Sequence, residues 1–179
     1  MNAIDMNELP HYTYDDYLIW EGKWELIYGL AYAMSPAPTI KHQKISNKIA
    51  RILDEKLENC EHCLALLPID WKVADDTIVQ PDNLVICHQP DNDQYITKAP
   101  EIIFEVLSKS TALKDQNVKF KIYQSEGVKY YIIVYPKEHT AKVYILNQGK
   151  YIKLADVSDE TINFDIKQCQ FDFEFSNIW

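Results

Sequence analysis

Glu101-Ile102-Ile103-Phe104-Glu105-Val106-Leu107 is nearly all apolar, with one carboxylate in its middle. A strand that does not alternate polar and apolar residues is covered on both faces, so this run reads as a buried central strand. An ionised carboxylate there is costly unless it is paired or bound to metal, which makes Glu105 a functional candidate. C-terminal to the run, Ser110 or Thr111 caps a helix to about Glu126, and Gly127 ends it. Lys129 to Tyr135 is a second apolar, aromatic strand, stopped by Pro136.

N-terminal to the run, a polar loop (Gln89 to Ala99) follows two predicted strands, Leu64 to Val73 and Ile78 to Cys87, around the turn Asp75-Asp76-Thr77. Before them lies a long helix, Ile40 to Glu58, with Ile45, Ile49, Ile52, Leu53 and Leu57 on one face. From Ile40 to Tyr135 the order is helix, three strands, helix, strand. This αβββαβ order is the common core of the restriction-endonuclease fold, although order alone does not specify function. Outside it, Thr13 to Trp20 reads as a short capped helix. Trp24 to Tyr28 and Leu30 to Met34 read as a hairpin around Gly29. At the other end, Ala141 to Leu146 and Tyr151 to Ala155 form a hairpin across Gln148-Gly149, followed by a β extension to Trp179. The expectation is an α/β chain with one domain over residues 1–179 and a core at about 40–135.

Hydrophobic residues make up 47% and charged residues 25%, as in an ordinary globular protein. No membrane-spanning segment is visible, and the N-terminus is neither basic nor apolar, so the chain is expected in the cytoplasm and off the membrane. The net charge of −9 argues against nonspecific coating of nucleic acid. It is uneven: Lys109 to Tyr130 balances at +3 and Ala155 to Phe175 at −5. A local basic surface remains compatible with DNA, especially where metal ions neutralise carboxylates. Cys60 and Cys63 form a lone C-x-x-C. Cys87-His88 would complete a zinc site only if the fold brings that strand end to the 60s loop. The expectation is therefore free thiols without zinc.

Hydrolysis of a phosphodiester needs an activated water and stabilisation of charge on the phosphate. A hard divalent cation supplies both and prefers carboxylate oxygens. Asp82 lies where a strand is interrupted by Pro81 and resumes, and with Glu105 it forms the expected metal pair; a turn residue is the plain alternative for Asp82. On a helical wheel with Leu113 at zero, Lys119 falls near about 240°, between Ile122 and Tyr123, opposite Lys114 and Lys121. Lys119 is thus expected to face the sheet as an assisting cation, with a pair to Asp115 as the plain alternative. His42 points inward from the first helical turn, either as a satisfied core histidine or beside the reacting phosphate. Glu25, between Trp24 and Leu26, is a further carboxylate in an apolar strand, with an outward residue on a half-exposed strand as the plain alternative.

These residues resemble the Uma-two family of restriction-endonuclease-like proteins within the PD-(D/E)xK superfamily. The similarity rests on Trp24-Glu25-Leu26-Ile27-Tyr28-Gly29, Met34-Ser35-Pro36 with His42, Pro81-Asp82, and Phe104-Glu105-Val106-Leu107-Ser108. It continues through Ser110-Thr111, Asp115 with Lys119, Tyr123, Gly127-Val128 and Tyr130-Tyr131-Ile132-Ile133-Val134. The resemblance implies that Asp82 and Glu105 bind Mg²⁺ or Mn²⁺, that Lys119 stands in for the motif lysine, and that Glu25 is an auxiliary acid. It implies nuclease-like chemistry and leaves the substrate open; DNA is the expected substrate, and a homodimer is admitted. The chain departs from the superfamily signature at Leu107, where a lysine is expected. Lys109 has the right parity but lies about 13 Å along the strand from Glu105. An inactive nuclease-fold protein that binds nucleic acid or a partner protein is the alternative reading.

Overall fold

The computed structural model describes residues 9–34, 37–108, 114–167 and 169–179, and the side chains of residues 114 and 115 are not part of that description. In chain order it contains α1 (Tyr14–Tyr17), β1 (Trp24–Ile27), β2 (Leu30–Ala33), α2 (Ile40–Leu57), β3 (Leu64–Leu66), β4 (Asp70–Ala74), β5 (Thr77–Val79) and β6 (Asn83–Ile86). Then come β7 (Tyr95–Ile96), β8 (Ile102–Val106), a π-helical turn (Lys114–Lys119), α3 (Phe120–Ser125), β9 (Tyr130–Tyr135), β10 (Thr140–Asn147) and β11 (Lys150–Val157). The chain ends with β12 (Thr161–Ile166), β13 (Cys169–Glu174) and a 3₁₀ turn (Phe175–Ile178).

The central βαβ core is as expected: β8 pairs parallel with β9, and the helical segment between them makes the crossover. These strands belong to a six-stranded sheet of order β11-β10-β9-β8-β6-β3. A five-stranded sheet, β2-β1-β5-β4-β7, holds the N-terminal hairpin.

The two long strands expected before β8 are each divided. Leu64 to Val73 splits at Pro68 into β3 and β4, and Ile78 to Cys87 splits at Pro81 into β5 and β6. Proline has no N–H to give a ladder, so the chain leaves one sheet there and enters the other. The second crossing serves the site, because it places Gln80, Pro81 and Asp82 at the junction of the two sheets. The loop expected at 89–99 also contains a short strand, β7, parallel to β4.

Strand parity divides the core. Phe104, Val106, Ile132 and Val134 share one apolar cluster with Ile45, Ile49 and Leu53 of α2. Ile103, Tyr131 and Ile133 share the other with Trp71, Ile122 and Tyr123. The C-terminal extension closes the first cluster with aromatic rings, Phe104 lying 5.2 Å from Phe173 between centroids. The hairpin turn at 148–149 is as read, since Gln148 (φ 49°) and Gly149 (φ 77°) both take the left-handed conformation that such turns demand.

The cysteine expectation is overturned. Cys60 is joined to Cys169 and Cys63 to Cys87 by disulfides, and no free cysteine remains. Sequence spacing gave no view of how β6 and β13 converge on the 60s loop. Among the described residues no helix is long and apolar enough to cross a membrane.

Candidate active site

Glu105 sits at the fourth position of β8, 2% exposed, in a strand whose residues are all buried. By parity its side chain shares the face of Ile103, toward α3. Lys119 Nζ donates to Glu105 Oε1 at 2.9 Å and lies 2.7 Å from Glu25 Oε1. The three side chains are 3% exposed or less. The Tyr123 hydroxyl also donates to Glu105 Oε1, at 2.7 Å. Burial, and then the negative charge of Glu105, push the Tyr123 hydroxyl far above the ordinary phenol range, so it stays a donor.

Lys119 reaches this place from a π-helical turn, not from the regular α-helix assumed in the wheel. Such turns rotate less per residue than an α-helix and recur at functional sites. The inward direction expected for Lys119 nevertheless holds, and its approach to Glu105 is direct. Asn117 and Lys121 are exposed, also as expected. The Ser110 or Thr111 cap, the Lys109 alternative, the Ser35-Pro36 match and the side chain of Asp115 lie outside the described residues.

Glu25 is fully buried, not the outward-facing residue of a half-exposed strand. Pairing of β1 with β5, Leu26 opposite Ile78, carries it beside the Pro81 crossing, where Gln80 N–H donates to Glu25 Oε1 at 2.9 Å. Gln80 Nε2 in turn donates to Asp70 Oδ1 at 2.5 Å, and the Tyr17 hydroxyl donates to the same carboxylate at 2.9 Å. Burial, reinforced by Asp70, pushes the Tyr17 hydroxyl above its usual range.

Asp82 precedes β6 by one residue. The β6–β8 register pairs Asn83 with Phe104. Extended by one residue it sets Asp82 opposite Glu105, on the same face. Asp82 Oδ2 accepts the Val106 N–H at 2.8 Å and lies 3.2 Å from His42 Nε2. His42 is 8% exposed, held in the first turn of α2, whose Thr39 cap accepts its backbone N–H. Asn83 is fixed beside it: Ser46 Oγ donates to Asn83 Oδ1 at 3.0 Å, and Asn83 Nδ2 donates back to the Ser46 carbonyl. A cavity of about 190 Å³ opens between Pro38, His42, Ser46, Pro68 and Asp82.

All five sequence-predicted residues thus fall into two linked groups, Glu25–Lys119–Glu105 and His42–Asp82. They are joined through adjacent residues of β8, because Glu105 holds the ammonium while Val106 holds Asp82. Tyr123, Gln80, Asn83 and Ser46 were not singled out for the site. Tyr123 was legible in principle, because it lies four residues after Lys119 on the same inward face.

Among the described residues no group of three or more His, Cys, Asp and Glu side chains is arranged to hold a metal ion. A hard cation such as Mg²⁺ needs only one or two carboxylates, with waters and substrate oxygens completing its shell. Asp82 suits that demand: its side chain is 19% exposed, and among the described residues no hydrogen bond reaches its Oδ1.

The crystal structure of "a putative nuclease belonging to DUF820" from Anabaena variabilis superposes with a TM-score of 0.75 at 17% identity, covering 93% of this chain and 97% of that one. At that identity the likeness establishes the fold. A Synechocystis protein described as "Uncharacterized protein sll1609" is 28% identical over 130 residues, 68% of this chain and 73% of that protein. Residues 14–166 match the family Uma2, described as "Putative restriction endonuclease", a span holding Glu25, His42, Asp82, Glu105 and Lys119, so the chain belongs to the Uma2 family.

Proposed function

We propose that the chain is a Mg²⁺- or Mn²⁺-dependent endonuclease that hydrolyses DNA phosphodiester bonds in the cytoplasm. The observation that carries this reading is the junction on β8, where Asp82 bonds the Val106 N–H and Glu105 bonds an inward lysine. Asp82 and Glu105 would hold the metal, which when bound neutralises phosphate charge and lowers the pKa of a water. His42 orients Asp82 from the N-terminal turn of α2, whose partial positive charge favours a phosphate in the adjoining cavity. Lys119 assists by fixing Glu105 and by placing a cation at the site, while Glu25 and Tyr123 fix Lys119 and Glu105 in turn.

The test is cleavage of plasmid and single-stranded DNA with Mg²⁺ or Mn²⁺, alongside thermal melts. Wild-type protein should cut and should melt higher with metal. Asp82→Ala and Glu105→Gln should lose cleavage while keeping their circular dichroism. An Asp82→Ala protein that still cuts would show the carboxylates to be misassigned. The net charge of −9 and Leu107 at the motif-lysine position favour a second reading, binding of nucleic acid without cleavage. Wild-type protein that binds DNA and never cuts it would select that reading.

A further inference from the structure

Acidic residues leave one long gap in this chain. From Leu26 to Leu53 there is no Asp or Glu, although the chain carries 27 of them. The four cations in that gap, Lys41, Lys44, Lys48 and Arg51, all belong to α2. On a wheel with Ile45 at zero they fall between about 240° and 320°, one stripe along a single flank of the helix. Arg51 is held by Glu55 at 3.0 Å, so the open part of the stripe is its first three members. Lys41 and Lys44 are exposed, and among the described residues no hydrogen bond or ion pair engages either ammonium. The stripe begins beside the candidate centre: His42, next to Lys41, lies 3.2 Å from Asp82, and Pro38 lines the same cavity as both. From Lys41 to Lys48 it runs about 10 Å along the helix axis. At its far end Lys48 Nζ donates to the Trp179 carbonyl, and the Trp179 ring stacks on His139 with centroids 5.4 Å apart and planes 7° from parallel. His139 is exposed, in the turn after β9. Because β9 runs parallel to β8, that turn lies at the same end of the sheet as Val106 and Asp82.

We infer that Lys41, Lys44 and Lys48 are the track for the phosphodiester backbone of a nucleic-acid strand leading away from the Asp82–Glu105 centre, and that His139, backed by Trp179, stacks an unpaired base of that strand. The inference rests on the reading of this chain as one that acts on or binds nucleic acid. Phosphates held by ammonium groups release their counterions, which supplies affinity without regard to sequence. On a chain of net charge −9, a cationic stripe sets the path of the strand as well as its affinity. An aromatic face at the end of such a stripe accepts any base, because every base has a π-face. The cavity lies on the other flank of α2, that of His42 and Ser46, and meets the stripe at Pro38 and the first helical turn. A strand crossing the N-terminal end of α2 therefore has one phosphate beside His42 and Asp82 while its neighbours lie along the lysines.

The test measures binding apart from cleavage. Fluorescence anisotropy of a labelled oligonucleotide, single-stranded or duplex, is followed on the full chain across a salt series, in EDTA and again with Ca²⁺. The Lys41→Gln/Lys44→Gln double variant should keep its circular dichroism and lose more than about tenfold in affinity for both forms at about 0.1 M salt. The slope of log Kd against log salt should fall by about 1.4 on the single strand and about 1.8 on the duplex, as for two lost phosphate contacts. His139→Ala should weaken the single strand alone, because paired bases offer no free face. Lys150→Gln/Lys153→Gln, which removes two exposed lysines of β11, should leave both affinities unchanged. Wild-type protein that binds neither oligonucleotide, a Lys41→Gln/Lys44→Gln protein that binds as wild type does, or an equal loss from the β11 pair would each overturn the track. Single-strand affinity unchanged in His139→Ala would overturn the stacking platform. A strand bound through the stripe and never cut with Mg²⁺ would leave the inference standing and sink the endonuclease reading instead.

Discussion

Replacing Lys119 with Met tests whether the buried lysine holds two charged carboxylates. Met keeps the length and apolar stem of the side chain and removes only the ammonium, so the packing change is small. In the wild type the ammonium lies 2.7 Å from Glu25 Oε1 and 2.9 Å from Glu105 Oε1. At an effective dielectric of about 20, each attraction is worth about 6 kcal/mol before desolvation is charged against it. Without the ammonium, two carboxylates less than about 6 Å apart repel by about 3 kcal/mol. Breaking a buried ion pair from one side typically costs about 3–5 kcal/mol, so the expected loss is of that size. Urea unfolding at neutral pH, with m unchanged, reads it directly. Glu25→Gln leaves Lys119 paired with Glu105 and should cost less, about 1–3 kcal/mol. Lys119→Met destabilised by less than about 1 kcal/mol would refute the claim that the ammonium neutralises both acids.

Tyr123→Phe removes a 2.7 Å hydrogen bond to Glu105 but leaves the ring packed, and should cost about 1.5–3 kcal/mol in the same urea measurement. Gly29→Ala should lower stability by about 1–2 kcal/mol, because Gly29 has φ +76° and a Cβ there would come within 2.3 Å of the His11 ring; an unchanged Tm would refute this account of the hairpin. In the Lys119→Met background, Leu107→Lys should restore measurable metal-dependent DNA cleavage, because residue 107 shares the parity of Glu105 and packs on the same cluster; no recovery in a folded double variant would refute equivalence of the two positions.

The parts of the fold legible in the sequence were those written in local pattern. The helix at 40–57, the buried strand around Glu105 and the Gln148-Gly149 hairpin follow from apolar periodicity and turn chemistry. The division of two strands at Pro68 and Pro81 was less legible. A proline says that a ladder stops, and does not say which sheet the chain joins next. The pairing of β7 with β4 and the convergence of four cysteines depend wholly on contacts distant in sequence; Cys60 and Cys169 are 109 residues apart.

At the site the costly residues were the informative ones. Glu105 announced itself as a carboxylate in an apolar strand and Lys119 as a cation on an inward face, and the two now account for each other at 2.9 Å. Glu25 was harder to read, since alternation in a half-exposed strand predicts the same residue type facing water. Its burial is set by the β1–β5 pairing. The lysine absent from position 107 and the lysine present at 119 are then parts of one arrangement. Leu107 helps to cover the cluster beneath α3, while the π-helical turn swings Lys119 over the end of β8. Presented from the helical side of β8, Lys119 is also met by Glu25 from the other sheet. One ammonium thereby ties β1, β8 and the start of α3 together at the place where the Pro81 crossing delivers Asp82.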